Sequence, residues 1–311
     1  MNAPRTPGRD WTRAAVLFAL AFASTLYAGA LKTDAFAAWH RWAAVVPEGA
    51  RDLLPPWWTF ADVWLGALTF NVPLLAILVA HEMGHWVTAR RYGVDMSPPY
   101  LIPFVPPLGT LGAVIGLHLE RIATGRLMRI AAFGPFAGMV VAVPVMALGL
   151  AWSEVQPLPA DFQGVILGES LGMKAMIAVI VGPIPQGHDV FLHPMAFAGW
   201  AGFFLTGFNL IPLGQLDGGH VAWALFGERF NRIAPVLWGV LVVLGALFYV
   251  SWLLLAGLLL VLIGIKHPPM STDCVAQGGD RIIGVVAILL FILTFTPLPF
   301  PGLGFGLLNG G

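Results

Sequence analysis

Six uncharged apolar runs constrain this chain more than any other feature. They lie near residues 14–31, 63–80, 130–153, 190–216, 233–265 and 282–298. A bilayer core of about 30 Å needs about 20 helical residues to cross it. The run 233–265 is far longer than one crossing requires and reads as a tight helical hairpin turning near Gly245 to Ser251. That gives about seven transmembrane helices. The first run follows Arg5, Arg9 and Arg13, as the apolar part of a signal peptide would, but it is long for that role and reads better as a retained helix. Charged residues make up only 10% of the 311, against about 25% in ordinary soluble domains. A water-soluble surface cannot be built from so few charges, so the main solvent is lipid. A net charge of zero argues against a nucleic-acid footprint, and the single Cys274 excludes an intrachain disulfide.

Lys and Arg orient the spans. With the N-terminus in the cytoplasm, twelve basic residues fall inside (Arg5, Arg9, Arg13, Arg90, Arg91, Arg121, Arg126, Arg129, Arg229, Arg232, Lys266, Arg281) and four outside (Lys32, Arg41, Arg51, Lys174). Treating 233–265 as one span weakens the bias to ten against six, so the charge count favours the hairpin. Residues 97–116 are apolar but interrupted by five prolines and three glycines, which no continuous helix survives. Irregular backbone at membrane depth must be shielded by protein or line a wet cavity, so this segment reads as a re-entrant loop. Residues 164–187 read as a peripheral or re-entrant piece at the outer face. The expected fold is an all-α polytopic membrane protein with a re-entrant β-loop.

His81, Glu82 and His85 form H-E-x-x-H (HEMGH) near the end of the second run. Residues i and i+4 share a helix face. Two imidazoles so placed can bind one Zn²⁺, and the Glu between them can reach the metal-bound water. Three ionisable groups at the end of an apolar run are costly and point to function; two hydrogen-bonded histidines beside a buried Glu is the plainer alternative. A catalytic zinc takes three protein ligands and one open position. Asp217 is the best third candidate, because FNLIPLGQLDGG places it at the same membrane depth. Pro212 and Gly214 break the helix before it, and Gly218 and Gly219 permit a tight turn behind it. Asn209 lies at that depth too, as an oxyanion donor or as interhelical glue. Gly134 and Gly138 (GPFAG) match G-x-x-x-G and suit close helix approach. His193 and His267, each before a proline, read as interfacial or capping residues. His118 reads as interfacial or as a contact near the site. The twelve Trp read mostly as interfacial belts.

Together HEMGH, GTLGAVIG, GPFAG and NLIPLGQLDGG resemble the site-2 protease family of intramembrane zinc metalloproteases. HPMAFAGWAGFFLTGFNLIPLGQLDGG most resembles the branch shared by cyanobacteria, other bacteria and plant chloroplast proteins of the EGY type. The resemblance runs from about residue 60 to 300. It implies one zinc per chain on His81, His85 and Asp217, with Glu82 as general base and Asn209 beside the active site. It further implies that the loop containing Gly109, Thr110, Leu111, Gly112 and Ala113 holds substrate as an added strand. It implies regulated cleavage of a transmembrane segment in a membrane-tethered protein. The chain shows no PDZ insertion and no cystathionine-synthase-like regulatory domain, and His220 stands where many relatives have Arg. The expected organisation is an N-terminal helix and outer loop over 1–57, a protease domain over 58–300 and a tail over 301–311. A bacterial inner membrane is the expected location, for want of an obvious transit peptide. Two other classes compete: a catalytically silent membrane chaperone or adaptor on the same fold, and a secondary transporter. Intact HEMGH with Asp217 argues against the first, and the lack of an inverted repeat argues against the second.

Overall fold

A computed structural model describes residues 7–45, 56–115, 123–159, 162, 166–247, 250–262, 264–268 and 276–301. Gly116, His118, Glu120, Arg121 and the tail after Pro301 lie outside the described residues. The chain runs through α1 (Pro7–Ala30), α2 (Asp34–Val45) and α3 (Ala61–Arg91), then strands β1 (Tyr100–Pro103) and β2 (Thr110–Val114). Next come α4 (Thr124–Ala151), β3 (Glu154–Pro157), α5 (Leu171–Ile180), β4 (His188–Phe191) and α6 (Pro194–Asn209). It closes with α7 (Asp217–Phe226), α8 (Glu228–Leu247), α9 (Val250–Leu262) and α10 (Gly279–Thr294).

Four described helices are long and apolar enough to cross a bilayer: Asp10–Ala30, Ala61–Arg91, Thr124–Ala151 and Glu228–Leu247. The run 190–216 is divided among β4, α6 and an irregular turn, so its helix is only 16 residues long. The run 282–298 ends as a helix at Thr294, because Phe295 turns extended. The run 233–265 is two helices that pack on each other: Trp238 Nε1 donates to Ala256 O at 3.0 Å, and Gly245 lies against Leu253. The helices are joined by more strand than an all-α expectation allows. β1 and β2 form an antiparallel hairpin from the segment read as re-entrant, and β3 pairs antiparallel with β4, from Glu154↔Phe191 to Pro157↔His188. The second pair was not legible in the sequence: Glu154–Pro157 is only four residues, all exposed, without a buried face to give period-two patterning.

α3 and α4 are the central pair, flanked by α1 and α6. Glycines let them approach. A Cβ on Gly84 would collide with Phe133 O across the α3–α4 seam, and one on Gly149 would collide with the Ala196 backbone of α6. The main core gathers Phe70, Leu74, Ile77, Met146 and Trp200. Asn71 Nδ2 ties α3 to α1 by donating to Phe22 O at 3.0 Å and to Thr25 Oγ1 at 2.6 Å. Trp200 corrects the expectation of interfacial belts: it is 1% exposed, stacks between Phe197 and Phe204, and donates Nε1 to Gly168 O at 2.7 Å. Trp223 and Trp252 are buried as well.

Candidate metal centre

α3 turns His81, Glu82 and His85 into the protein, and all three are buried. The 81/85 spacing brings the two rings together edge to face, with centroids 4.9 Å apart and planes inclined at 68°. The third group arrives from far along the chain, 136 residues after His81. α6 stops at Asn209, and the chain turns through Gly214 (φ +52°), whose amide donates to Ile265 O at 2.9 Å. Asp217 then opens α7. The two glycines behind it serve close approach rather than unusual φ: a Cβ on Gly218 would collide with Leu210 O, and one on Gly219 with Gly214 O.

Asp217 Oδ2 lies 3.3 Å from His81 Nε2 and 3.3 Å from His85 Nε2. The three potential ligand atoms all lie within 4.8 Å of one another. Bonds of about 2.0–2.1 Å to a tetrahedral Zn²⁺ place ligand atoms about 3.3–3.4 Å apart, so both imidazole–carboxylate edges match. His85 Nδ1 lies 2.7 Å from Ile130 O. A carbonyl oxygen only accepts, so Nδ1 carries the hydrogen and Nε2 presents its lone pair toward Asp217. The donor set therefore fits zinc.

α4 supplies the floor. A Cβ on Gly134 would collide with His85 Nε2, and one on Gly138 would sit 3.1 Å from His81 Cβ. GPFAG thus does permit close helix approach, beside the candidate metal ligands themselves. Asn209 Nδ2 lies 3.3 Å from His81 Nε2. A cavity of about 320 Å³ opens beside the cluster, with Glu82, Asn209, Asp217 and His220 on its wall.

The hairpin reaches the same cavity through Ala113, Val114 and Ile115. Of the five residues expected to hold substrate, only Ala113 lines it. Gly109 packs on α1, where Ser24 Oγ donates to Gly109 O at 2.6 Å, and Thr110 Oγ1 donates back to Ile102 O at 2.9 Å. Leu111 is half exposed, and Gly112, with φ +97°, carries the bend between. The site end of β2 is therefore displaced toward its C-terminus. The tip is held at the far side: Lys32 Nζ donates to Ala28 O at 2.7 Å and to Pro107 O, over the Phe70 ring at 4.6 Å. Burial lowers the Lys32 pKa to about 8.

Two histidines read as capping or interfacial separate here. His193 caps α6, its Nδ1 accepting from Met195 N at 3.2 Å. His267 is no interfacial residue: it is 2% exposed, and its Nε2 lies 2.8 Å from His220 Nδ1. No local spacing in the sequence relates 220 to 267.

The fold and cluster define a helical, membrane-type protein in which an H-E-x-x-H motif and a distant aspartate form a group that could hold a metal ion. The profile of peptidase family M50 matches residues 69–250, and the chain belongs to that family. This bears out the resemblance drawn from the motifs. Among curated relatives, the probable zinc metalloprotease EGY2, chloroplastic, of Oryza sativa subsp. indica is 28% identical over 83% of this chain and 54% of its own length. The probable zinc metalloprotease EGY1, chloroplastic, of Arabidopsis thaliana is 33% identical over 82% of this chain and 46% of its own. The chain thus spans about half the length of these relatives. Their names place them in chloroplasts, a different compartment from the bacterial inner membrane that the sequence suggested.

Proposed function

We propose that this chain is an intramembrane zinc metalloendopeptidase that cuts transmembrane segments of membrane-tethered proteins. The observation that carries the reading is the pair of 3.3 Å edges from Asp217 Oδ2 to the two imidazole Nε2 atoms, with Glu82 on the wall of the adjoining cavity. His81, His85 and Asp217 would hold the metal. When bound, zinc supplies Lewis acidity that acidifies water and polarises a carbonyl. Glu82 takes the proton from the attacking water on its carboxylate and returns it to the leaving amine nitrogen. Asn209 Nδ2 donates to the carbonyl oxygen as that atom gains negative charge.

A transmembrane helix hides its peptide bonds in i to i−4 hydrogen bonds, so it must unwind to be cut. β2 supports that step. Among the described residues it is paired on one side only, to β1, and its Ala113–Ile115 end lies at the cavity. An extended segment can pair with the other edge. Residues 58–300 form the proteolytic unit in this reading; the M50 match lies within it. About seven spans, a re-entrant hairpin and a cytoplasmic N-terminus remain the topology that the apolar runs and charge bias favour.

The test compares the purified full chain with Glu82→Gln, His81→Ala and Asp217→Ala. Wild type and Glu82→Gln are expected to hold one zinc per chain, and the other two to lose it. Cleavage of a membrane substrate should fall at least about 100-fold in Glu82→Gln. Undiminished cleavage in that variant would sink the reading.

A further inference from the structure

The metal-side cavity carries a third imidazole, beside His81 and His85, that the proposed mechanism does not use. His220 stands in the first turn of α7 and lines the cavity. Its Nδ1 meets His267 Nε2 at 2.8 Å. His267 is fixed on every side. Its Nδ1 lies 2.7 Å from Pro268 O, its backbone N–H donates to Asn231 Oδ1 at 2.8 Å, and its carbonyl accepts from Asn231 Nδ2 at 2.9 Å. Its ring stacks on Trp223 with centroids 4.8 Å apart.

This chain of bonds determines where the hydrogens sit. Pro268 O can only accept, so His267 Nδ1 is the donor. Neutral His267 then accepts at Nε2, and His220 donates from Nδ1. His220 Nε2 is left as a lone-pair acceptor. Asn71 Oδ1 is the only fully buried side-chain nitrogen or oxygen without a partner among the described residues, so the unpaired His220 Nε2 is not sealed off, and the residue lines the cavity. Burial, and then the neighbouring His267, disfavour a second proton on His220.

An extended segment paired with β2 has an unmet need that this acceptor fits. Strand N–H and C=O groups point alternately to opposite sides. Pairing on one edge satisfies alternate residues and leaves the remaining N–H groups facing the cavity, where an N–H withdrawn from water is costly if it finds no partner. We propose that His220 accepts one backbone N–H of the unwound segment, on the edge turned away from β2, and that His267 is a positioning residue that fixes its tautomer and orientation. The inference rests on the reading of this centre as one that binds an extended transmembrane segment.

The experiment measures binding rather than cleavage. The full-length chain carrying Glu82→Gln, zinc-loaded in detergent, is titrated with a fluorescent Leu/Ala transmembrane peptide of about 20 residues with a central Gly-Pro. A companion series replaces one backbone N–H at a time with an ester oxygen. His220→Phe is expected to weaken binding of the all-amide peptide about 10-fold. One ester position should weaken binding to the parent equally, and at that position His220→Phe should add nothing. His220→Gln, which keeps an acceptor, should recover part of the loss. His267→Phe should reproduce the loss with the same position dependence, and zinc per chain should stay at one throughout. An unchanged affinity in His220→Phe, an equal loss across the whole ester series, or no binding to the parent would overturn the proposal. Cleavage by the chain with Glu82 intact is scored separately. The ester pattern without cleavage would sink the proteolytic reading and leave the His220 contact standing; cleavage without the pattern would do the reverse.

Discussion

At the residue scale the candidate metal centre depends as much on missing side chains as on the proposed ligands. Gly134 leaves room for the His85 ring, and any Cβ there meets Nε2, the atom proposed to face the metal. Gly134→Ala should therefore lower zinc occupancy and cost about 1–3 kcal/mol by overpacking. Gly239→Ala is the control, since a Cβ there meets nothing within 4 Å. Zinc per chain and Tm, measured side by side, check the contrast. Equal behaviour of the two variants would refute it. HEMGH was readable because i and i+4 share a face whatever the tertiary context. Asp217 was readable because a broken apolar run fixes its depth. The Ile130 carbonyl behind His85 was not readable, because a backbone acceptor leaves no mark on residue identity. The His220–His267 contact was hidden for another reason: it spans 47 positions and depends on how the α8–α9 hairpin returns the chain.

At the element scale the β1–β2 hairpin spans from one side of α1 to the cavity. Its tip is fastened by Lys32 to Pro107 O and Ala28 O, and its turn by Ser24 to Gly109 O. Lys32 gives this fastening a pH signature. Burial lowers its folded pKa to about 8 from 10.5. Between those values the unfolded chain binds more protons than the folded one, so stability rises with pH. Below about 8 both states are protonated, and the desolvation cost of the ammonium is fully present. The Tm of wild type minus that of Lys32→Met should therefore rise between about pH 8 and 10.5. A flat difference would show that the ammonium is solvated. The proline and glycine density of 97–116 announced an irregular segment and excluded a helix. It did not announce which end faces the site, because that depends on Ser24 and Lys32, far away in sequence.

At the scale of the whole molecule, the core joins α1, α3, α4 and α6 through apolar contacts and glycine seams that need no metal. Chelation should then abolish cleavage and lower Tm, since an ion that binds only the folded state stabilises it, while leaving helical content unchanged. Circular dichroism and a cleavage assay before and after chelation, then with zinc restored, measure both. Loss of helical signal on chelation would contradict the packing described. Much of this architecture was legible in the apolar runs, and the M50 profile agrees with the motifs they carry. Run length misjudged the helices at 190–216 and 282–298, because hydropathy does not distinguish a helix from the extended and turning backbone that continues it.

The pairing of β2 on one side only, among the described residues, also bears on inhibitor design under the proposed proteolytic function. A compound that arrives already extended has no helix to unwind. Conformationally locked strand mimetics should therefore outcompete flexible peptides of identical side-chain composition, and their potency should track backbone rigidity more than the residues they display.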